Sequence, residues 1–272
     1  MGMRFLVDGR QSNRIAADDR GVAYGDGLFE TMLARRGTIP LWPRHFARLA
    51  LGCERLRMPQ PDRAVLEAEL AVLLADWDDC VVRLTLTRGE GASGYTAKAG
   101  AATTRILHAR EVPRLSRRVD ESGIAVAMSE VRLGEQPLLA GIKHLNRLEQ
   151  VLARTLDPSA SELLMCDAEG RVVGASAANV FAVIDGELTT PGVARCGVAG
   201  VARSVITERL TGVVRDVVLV ELESATEVFL SNAVRGVVPV ASIGDRRYGV
   251  GPAAEAARAA LAAEGFQPPR AA

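Results

Sequence analysis

Apolar residues in the first half of the chain recur at two spacings, every second residue in some stretches and every third or fourth in others. The alternation predicts strands in MRFLVDGR, which ends in an Asp-Gly turn, and in DDCVVRLTLTRG and TTRILHAREV. GLFETMLARRGTIPLW is typical of a hairpin that turns near Gly37. The longer spacing predicts a helix in WPRHFARLALGCERLRM and another in PDRAVLEAELAVLLADW, starting at Pro61 and Asp62.

The second half mixes the same two spacings. It predicts strands in IAVAMSEV, ELLMCDAEG, VVRDVVLV and EVFLSNAVRGVVPV, and a hairpin in RVVGASAANVFAVIDGELTTP. Helices are expected from Lys143 onwards, in VARSVITERLTG and in GPAAEAARAALAAEG. The fold class is therefore α/β in the broad sense, α+β with mixed sheets. A polar, proline-interrupted stretch predicts a linker, 113–123, between subdomains 1–112 and 124–272.

Composition narrows the class of function. The 272 residues are 48% apolar and 24% charged with zero formal net charge, so neither a nucleic-acid surface nor a membrane surface is expected. No apolar run approaches the length of a membrane span. The four cysteines form no C-x-x-C pair and none of the three histidines lies near them at ligand spacing. We therefore expect no metal, reduced cysteines and a cytoplasmic location.

Lysine is almost absent, since Lys98 and Lys143 stand against 31 arginines. Unlike arginine, lysine can lose its proton and act as a nucleophilic amine. On a helical wheel Lys143 lies opposite the side that carries Leu145, Leu148, Leu152 and Leu156, which predicts a solvated residue on a polar face. Alternatively, Lys143 projects from a strand junction into a cavity, where a desolvated amine can form a Schiff base. The pattern alone leaves both open.

Three further segments carry candidate chemistry. Gly197 and Gly200 precede a predicted helix, which indicates either an anion site at free backbone amides or an ordinary turn. Arg48 can bind a phosphate or lie on a surface helix. Arg88 and Tyr95 flank a glycine-rich loop, where a carboxylate can dock or the loop is simply solvated.

Taken in order, the motifs resemble one family. They are YGDGLFET, HFARL, IKHLNRLEQVLA, SAANVF, TTPGVARCGVAGVAR and EVFLSNAVRGVVPV. They are similar to those of the fold-type IV pyridoxal-phosphate enzymes, the class IV aminotransferase family, which includes branched-chain and D-amino-acid aminotransferases and aminodeoxychorismate lyase. PLLAGIKHLNRLEQVL and SNAVRGVVPV look most like the lyase group.

The resemblance implies a smaller N-terminal α/β domain, a larger C-terminal pseudo-barrel domain, pyridoxal 5'-phosphate as cofactor and a homodimer. It implies that Lys143 forms the Schiff base with the cofactor and moves protons. It assigns Arg48 and the backbone amides of Val201 and Ala202 to the cofactor phosphate, and Asn232 to the loop that closes the phosphate cup. Tyr24, Arg88 and Tyr95 match segments on the substrate side.

The chain departs from the family pattern at Gly174, five residues before Asn179. The family has a glutamate there that pairs with the pyridine nitrogen of the cofactor and strengthens the ring as an electron sink. Three alternatives follow for this chain. Water or a displaced acid such as Glu169 pairs with the pyridine nitrogen instead, or the cofactor works as a weaker electron sink, or the cofactor binds poorly or not at all.

Three functions follow from the resemblance. The first is a lyase that makes 4-aminobenzoate and pyruvate from 4-amino-4-deoxychorismate, a step towards folate. The second is transamination of D- or branched-chain amino acids. The third is a catalytically impaired binding protein or subunit partner, for which Gly174 is the only support.

Overall fold

A computed structural model describes residues 4–91, 94–97, 100–112 and 122–269. The chain forms two compact units, Met1–Pro113 with Ile142–Asn146, and Arg114–Gly141 with Arg147–Ala272. Most of the predicted linker, 113–121 out of 113–123, lies outside the described residues. The segment Ile142–Asn146, which carries Lys143, belongs to the first unit although it lies far along the sequence.

The first unit is an antiparallel sheet with helices. Its strands are β1 (Arg4–Val7), β2 (Arg10–Gln11), β3 (Gly27–Arg35), β4 (Asp79–Thr87) and β5 (Thr104–Arg110), in the order β2-β1-β5-β4-β3. Its helices are α1 (Arg20–Tyr24), α2 (Trp42–Leu56) and α3 (Arg63–Leu74).

Local sequence signals explain several of these boundaries. The Asp8-Gly9 turn has positive φ at both residues and joins β1 to β2, as predicted. Asp62 accepts hydrogen bonds from the backbone amides of Ala64 and Val65, so it caps α3 at the predicted start. The predicted helices and the strands β4 and β5 are confirmed.

The predicted hairpin at Gly37 is only half right. The chain does turn there, with Arg36 and Gly37 at positive φ and Thr38 bridged to Arg35. No returning strand follows, because Trp42 begins α2 and the long partner of β3 is β4. Pro43 at the first turn of α2 suits a helix start, which explains the outcome.

The second unit contains a nine-stranded mixed sheet. Its strands are β6 (Ile124–Met128), β7 (Glu162–Cys166), β8 (Val172–Ala175), β9 (Asn179–Ile184), β10 (Glu187–Pro191), β11 (Val213–Arg215), β12 (Glu227–Asn232), β13 (Gly236–Ile243) and β14 (Arg246–Arg247). Their order is β11-β10-β9-β12-β13-β6-β7-β8, and β14 pairs with β13. The helices are α4 (Leu148–Leu156), α5 (Val201–Arg209), α6 (Leu219–Ser224) and α7 (Pro252–Ala263).

This sheet curls until its two edges approach each other. The amide of Val172 in the edge strand β8 donates to the carbonyl of Val217, just beyond the other edge strand β11, at 2.7 Å. An apolar core runs through the interior and includes Val126, Leu164, Val180, Leu230 and Val240. The mixed, curled sheet matches the pseudo-barrel that the resemblance implies.

Three predictions for the second unit need correction. EVFLSNAVRGVVPV forms the hairpin β12–β13 rather than one strand, because Asn232 and Gly236 shape a turn in its middle. VVRDVVLV holds only the short β11 before α6 begins. In RVVGASAANVFAVIDGELTTP the hairpin is β9–β10, whereas β8 pairs with β7.

The prediction of a helix from Lys143 is wrong, since α4 begins five residues later at Leu148. Lys143 is half-buried and its neighbours bridge to β3. Three of the four leucines that the wheel grouped, Leu148, Leu152 and Leu156, are exposed by 77%, 47% and 59%. The helical wheel therefore misplaced Lys143 and Leu145, which precede the helix, whereas Leu148, Leu152 and Leu156 do share one face of α4, and that face is exposed.

Candidate functional site

The segment that carries Lys143 adds a short extended stretch to the start of β3. The amide of Phe29 donates to the Lys143 carbonyl at 2.9 Å, and the amide of Leu145 donates to the Gly27 carbonyl at 2.9 Å. A Cβ at Gly27 would lie 2.5 Å from the Leu86 carbonyl oxygen and 2.9 Å from Leu145 Cδ1. Glycine in YGDGLFET therefore lets the lysine segment approach the sheet.

A buried carboxylate lies on the opposite side of β3 from Phe29. Glu30 is 1% exposed and accepts hydrogen bonds from Arg48 Nε at 2.8 Å, from Arg48 Nη2 and from His45 Nδ1 at 2.6 Å. His45 and Arg48 lie on one face of α2, three residues apart. The two-point contact with Glu30 holds the Arg48 guanidinium in one orientation.

The charges of these groups follow from their surroundings. Burial by itself raises the pKa of Glu30, but the Arg48 charge and the hydrogen bonds from His45 and Arg48 outweigh it and lower that pKa to about 2. Burial lowers the pKa of His45, and the charges of Arg48 and Lys143 add to that effect against the attraction of Glu30. His45 is therefore neutral near pH 7, with its Nδ1 proton donated to an ionised Glu30.

Lys143 belongs to the same unit as this group. Its Nζ is 4.3 Å from the centroid of the Phe29 ring, which lies on the other face of the sheet from Glu30, and its charge acts on His45. An amine on an aromatic surface is suited to covalent binding of an aldehyde. The structure thus places Lys143 and Arg48, two of the predicted site residues, in the first unit, where the charge of each acts on His45.

The three residues predicted on the substrate side form a second cluster in the same unit. The rings of Tyr24 and Tyr95 are 5.6 Å apart, and the Arg20 guanidinium lies 4.8 Å from the Tyr24 ring. Arg20 also donates to the Tyr95 carbonyl at 3.0 Å. Arg88 joins the cluster because its Nε and that of Arg20 both donate to Asp26 Oδ2.

All three guanidinium nitrogen atoms of Arg88 donate hydrogen bonds within the protein. Its Nη1 donates to the Arg57 carbonyl at 2.9 Å and its Nη2 donates to the Leu56 carbonyl at 2.7 Å, at the C-terminal end of α2. Burial raises the pKa of Asp26, but the hydrogen bonds from Arg88 and Arg20 outweigh it, so that pKa is lowered. A substrate carboxylate at Arg88 would have to compete with these partners, and its predicted role stays a prediction.

In the second unit, Val201 and Ala202 begin α5 as predicted. The N-cap is Gly200, with no side-chain cap, and no described residue accepts a hydrogen bond from the Val201 or Ala202 amide. A Cβ at Gly200 would lie 2.0 Å from Asn179 Oδ1, so only glycine fits here. Open amides at a positive helix end make a site for an anion such as phosphate.

Asn232 shapes the β12–β13 turn through its own side chain. Its Oδ1 accepts from the amides of Val234 at 3.0 Å and Arg235 at 2.8 Å, and its Nδ2 donates to the Ala177 carbonyl at 3.2 Å. The side chain therefore fixes the loop conformation. Its predicted place on the loop that closes a phosphate site stays a prediction.

Gly174 is buried in β8, opposite Met165. A Cβ there would lie 3.1 Å from the Ala178 carbonyl oxygen, a tight but adjustable contact. Glu169, the acid nearest in sequence, is exposed in the β7–β8 turn, roughly 15 Å along an extended chain from Gly174. That Glu169 takes the place of the missing carboxylate stays a prediction.

A different acid, Glu162, contacts the loop between β8 and β9. Glu162 is 3% exposed, and it accepts hydrogen bonds from Ser176 Oγ, from the Leu163 amide at 3.1 Å and from Arg235 at 2.9 Å. Ser176 follows Gly174 by only two residues. Because three donors already hold Glu162, its charge is largely compensated within the protein.

Sequence reasoning missed Glu30, His45 and Glu162 as members of these clusters. Glu30 and His45 stand inside the quoted motifs YGDGLFET and HFARL. For Glu30 the available signal was a charged residue in a predicted strand. Glu162 opens a strand that is otherwise apolar, which is the same signal.

Two classes of site receive no support. None of the helices in the described part of the chain is long and apolar enough to cross a membrane. The described residues also contain no group of three or more His, Cys, Asp or Glu side chains suited to a metal ion.

Comparison with known proteins shows the family. The model of the amino-transferase class IV family matches residues 27–243. The aminodeoxychorismate lyase of Vibrio harveyi is 33% identical over 247 residues, which is 88% of this chain and 91% of that protein. The crystal structure of 4-amino-4-deoxychorismate lyase from Pseudomonas aeruginosa is 44% identical, has a TM-score of 0.90 and covers 94% of this chain and 97% of that one.

A hypothetical aminotransferase of Mycobacterium tuberculosis, solved in its PLP-bound form, shares the fold. It has a TM-score of 0.78 at 22% identity, over 96% of this chain and 98% of that one. Arg48, Lys143 and the helix that begins after Gly200 all lie within residues 27–243, which the family model matches. The chain belongs to the class IV aminotransferase family of fold-type IV pyridoxal-phosphate enzymes.

Proposed function

We propose that the protein is a pyridoxal-phosphate-dependent lyase that converts 4-amino-4-deoxychorismate into 4-aminobenzoate and pyruvate. The observation that carries an enzymatic role is the amine of Lys143, a half-buried residue, at 4.3 Å from the Phe29 ring centroid, where its charge acts on His45 of the Glu30–His45–Arg48 cluster. The choice of lyase rests on the relatives of 33% and 44% identity that carry that name.

The residues present fit most of the cofactor. Lys143 offers an amine for the aldehyde, Arg48 offers a fixed cation for the phosphate, and the amides of Val201 and Ala202 offer further donors to it. Asn232 is proposed to lie on the loop that closes the phosphate cup, as the resemblance implies. Gly174 supplies no carboxylate to the pyridine nitrogen. When bound, the cofactor supplies an electron sink for carbanion chemistry.

In this proposal Lys143 does the proton transfer. Its amine removes the proton from the substrate carbon that carries the amino group, the bond from the adjacent carbon to the enolpyruvyl oxygen breaks, and the ring becomes aromatic. The departing enolpyruvate takes up a proton on carbon and becomes pyruvate. Glu30 and His45 keep Arg48 in place without adding a mobile proton, since Glu30 is ionised and His45 is neutral near pH 7. Tyr24, Arg88 and Tyr95 are proposed to line the substrate side.

Transamination of a D- or branched-chain amino acid is the second candidate, because the same lysine and phosphate donors serve both reactions. The match to the amino-transferase class IV family supports transamination as an alternative. It needs repeated proton transfer on the cofactor, so the missing carboxylate at Gly174 should slow it at least as much as the lyase reaction.

One experiment separates these functions. Purified holoenzyme is assayed for pyruvate release from 4-amino-4-deoxychorismate and for keto-acid formation from a panel of D- and branched-chain amino acids. Pyruvate release without keto-acid formation supports the lyase, and the reverse supports the aminotransferase. Protein that stays colourless with added cofactor and performs neither reaction would favour an impaired family member.

We also propose a cytoplasmic homodimer. The four cysteines are free and buried, as expected in a reducing compartment. Leu148, Val151, Leu152 and Leu156 expose an apolar stripe along α4, which a second copy of the chain would cover. Sedimentation at several concentrations tests the dimer, and a monomer at all of them would contradict it.

A further inference from the structure

One face of the five-stranded sheet carries a group of cations that the proposed function has not used. Thr31, Arg83 and His108 lie opposite one another on β3, β4 and β5, so their side chains share a face. Arg110 follows His108 by two residues on the same face. Phe29, Thr85 and Ile106 form the neighbouring row.

Arg83 is unusual among the arginines of this unit. Its side chain is half-buried, and among the described residues its one polar contact is a long hydrogen bond from Nε to Thr85 Oγ1 at 3.4 Å. Across the described ranges, no carboxylate is paired with it. Burial, and secondly the charge of Arg110, lower its pKa, which means that its surroundings oppose the charge. A partly desolvated guanidinium without an anion is costly, so an anion that binds there is stabilised.

The same aromatic ring connects Arg83 to Lys143. The Arg83 guanidinium carbon lies 4.0 Å from the Phe29 ring centroid, and Lys143 Nζ lies 4.3 Å from that centroid. The two cations are therefore within about 8 Å of each other, since each distance ends at the same point. A ligand whose amine occupies the position next to Lys143 can bring a second polar group to Arg83.

Arg88 provides the contrast. Its three nitrogen atoms donate to the Asp26 carboxylate and to two carbonyls at the end of α2, at 2.7 to 2.9 Å. Within the part of the chain that the structure describes, Arg83 has only the one weak hydrogen bond. Of the two arginines on β4 and just after it, Arg83 is thus the one with unused donors.

We propose that Arg83 binds a carboxylate of the substrate and thereby selects carboxylated rings over uncharged ones. This inference rests on the proposed function and names the residue that recognises its substrate class. A six-membered ring that carries an amine and a carboxylate on opposite edges would lie along the surface from Lys143 to Arg83, with Phe29 beneath it. A guanidinium presents paired N–H donors that match both carboxylate oxygens.

The test compares binding of 4-aminobenzoate and aniline to holoenzyme by calorimetry, in wild type, Arg83→Met, Arg83→Lys and Arg88→Met. Arg83→Met should weaken 4-aminobenzoate binding about 10- to 100-fold and leave aniline binding unchanged. Arg83→Lys, which keeps the charge, should recover part of the loss. Arg10→Met is the matched control on the exposed strand β2 and should behave as wild type.

Kinetics add a readout that a structural role would not reproduce. If pyruvate is released from 4-amino-4-deoxychorismate, Arg83→Met should raise KM more than it lowers kcat, with cofactor absorbance unchanged. The inference is overturned if wild type does not bind 4-aminobenzoate, if Arg83→Met loses both ligands equally, or if the selective loss appears in Arg88→Met instead. Absence of pyruvate release with Arg83-dependent binding of 4-aminobenzoate would remove the proposed reaction and leave the carboxylate site in place.

Discussion

The surroundings of Glu30 and of Gly174 differ in negative charge. A buried carboxylate is present at the first position and absent at the second. Glu30 is a buried carboxylate that holds Arg48 and His45 in place within the first unit. At Gly174, where family resemblance expects a carboxylate, there is none, and Glu162, which contacts Ser176 two residues further along, is already held by Ser176 and Arg235. The folded chain needs Glu30 to balance the charge of Arg48, whereas a carboxylate at position 174 would contact only a ligand.

The largest expected effect is the loss of Lys143, which stands beside the Glu30 cluster. Lys143→Ala should abolish activity and the borohydride-trapped adduct with the cofactor, because no other amine occupies that place. The trapped adduct is measured by mass spectrometry of the denatured protein. Lys98→Ala removes the only other lysine and should leave trapping intact. Trapping that persists in Lys143→Ala would exclude it as the reactive amine.

Removing the charge of Glu30 should have the next largest effect. Glu30→Gln leaves Arg48 without its carboxylate in a buried place, so we expect the free energy of unfolding to fall by about 3 to 5 kcal/mol. Urea denaturation measures it. Glu255→Gln breaks an exposed pair with Arg258 and should change stability by less than about 0.5 kcal/mol. Equal losses in the two variants would contradict the role given to Glu30.

Acid should weaken the same cluster in wild-type protein. The pKa of Glu30 is about 2 in the folded state against an ordinary 4.5, so its contribution is complete above pH 4.5 and is lost as the pH falls towards 2. The pKa of His45 is lowered too, so some stability is lost already as the pH falls below 6.5. The Glu30 contribution is on the order of 3 kcal/mol. Urea midpoints from pH 7 to pH 3 measure it, and an acid loss as steep in Glu30→Gln would count against it.

The smallest effect is expected from restoring the acid at Gly174. Gly174→Glu should tighten cofactor binding about tenfold, because a carboxylate stabilises a protonated pyridine nitrogen. Its Cβ must displace the Ala178 carbonyl oxygen slightly from 3.1 Å. Gly174→Gln and Gly174→Ala also place a Cβ against the Ala178 carbonyl oxygen but add no negative charge, so they should not tighten cofactor binding. Cofactor titration followed by absorbance measures all three, and no gain in Gly174→Glu over Gly174→Gln would mean that the nitrogen is served by another group.

Most elements of the fold were predictable because their signals are local. The alternation in β4 and β5 and the Asp62 cap of α3 depend only on nearby residues. Failures occurred where distant residues take the backbone hydrogen bonds. The residues around Lys143 bridge to β3, more than a hundred positions away, so helical spacing there was misleading.

The sequence by itself determined the class of the fold and the family, and its resemblance to that family made Lys143 the candidate reactive amine, since the rarity of lysine and the ordered motifs are visible in one dimension. Only the tertiary structure decided how charge is distributed around that lysine. It joined Glu30 to His45 and Arg48, tied Arg88 to the end of α2, and left Arg83 beside Phe29 with no carboxylate partner among the described residues. Pairing of charges depends on which side chains meet across strands and helices, and that is set by the fold.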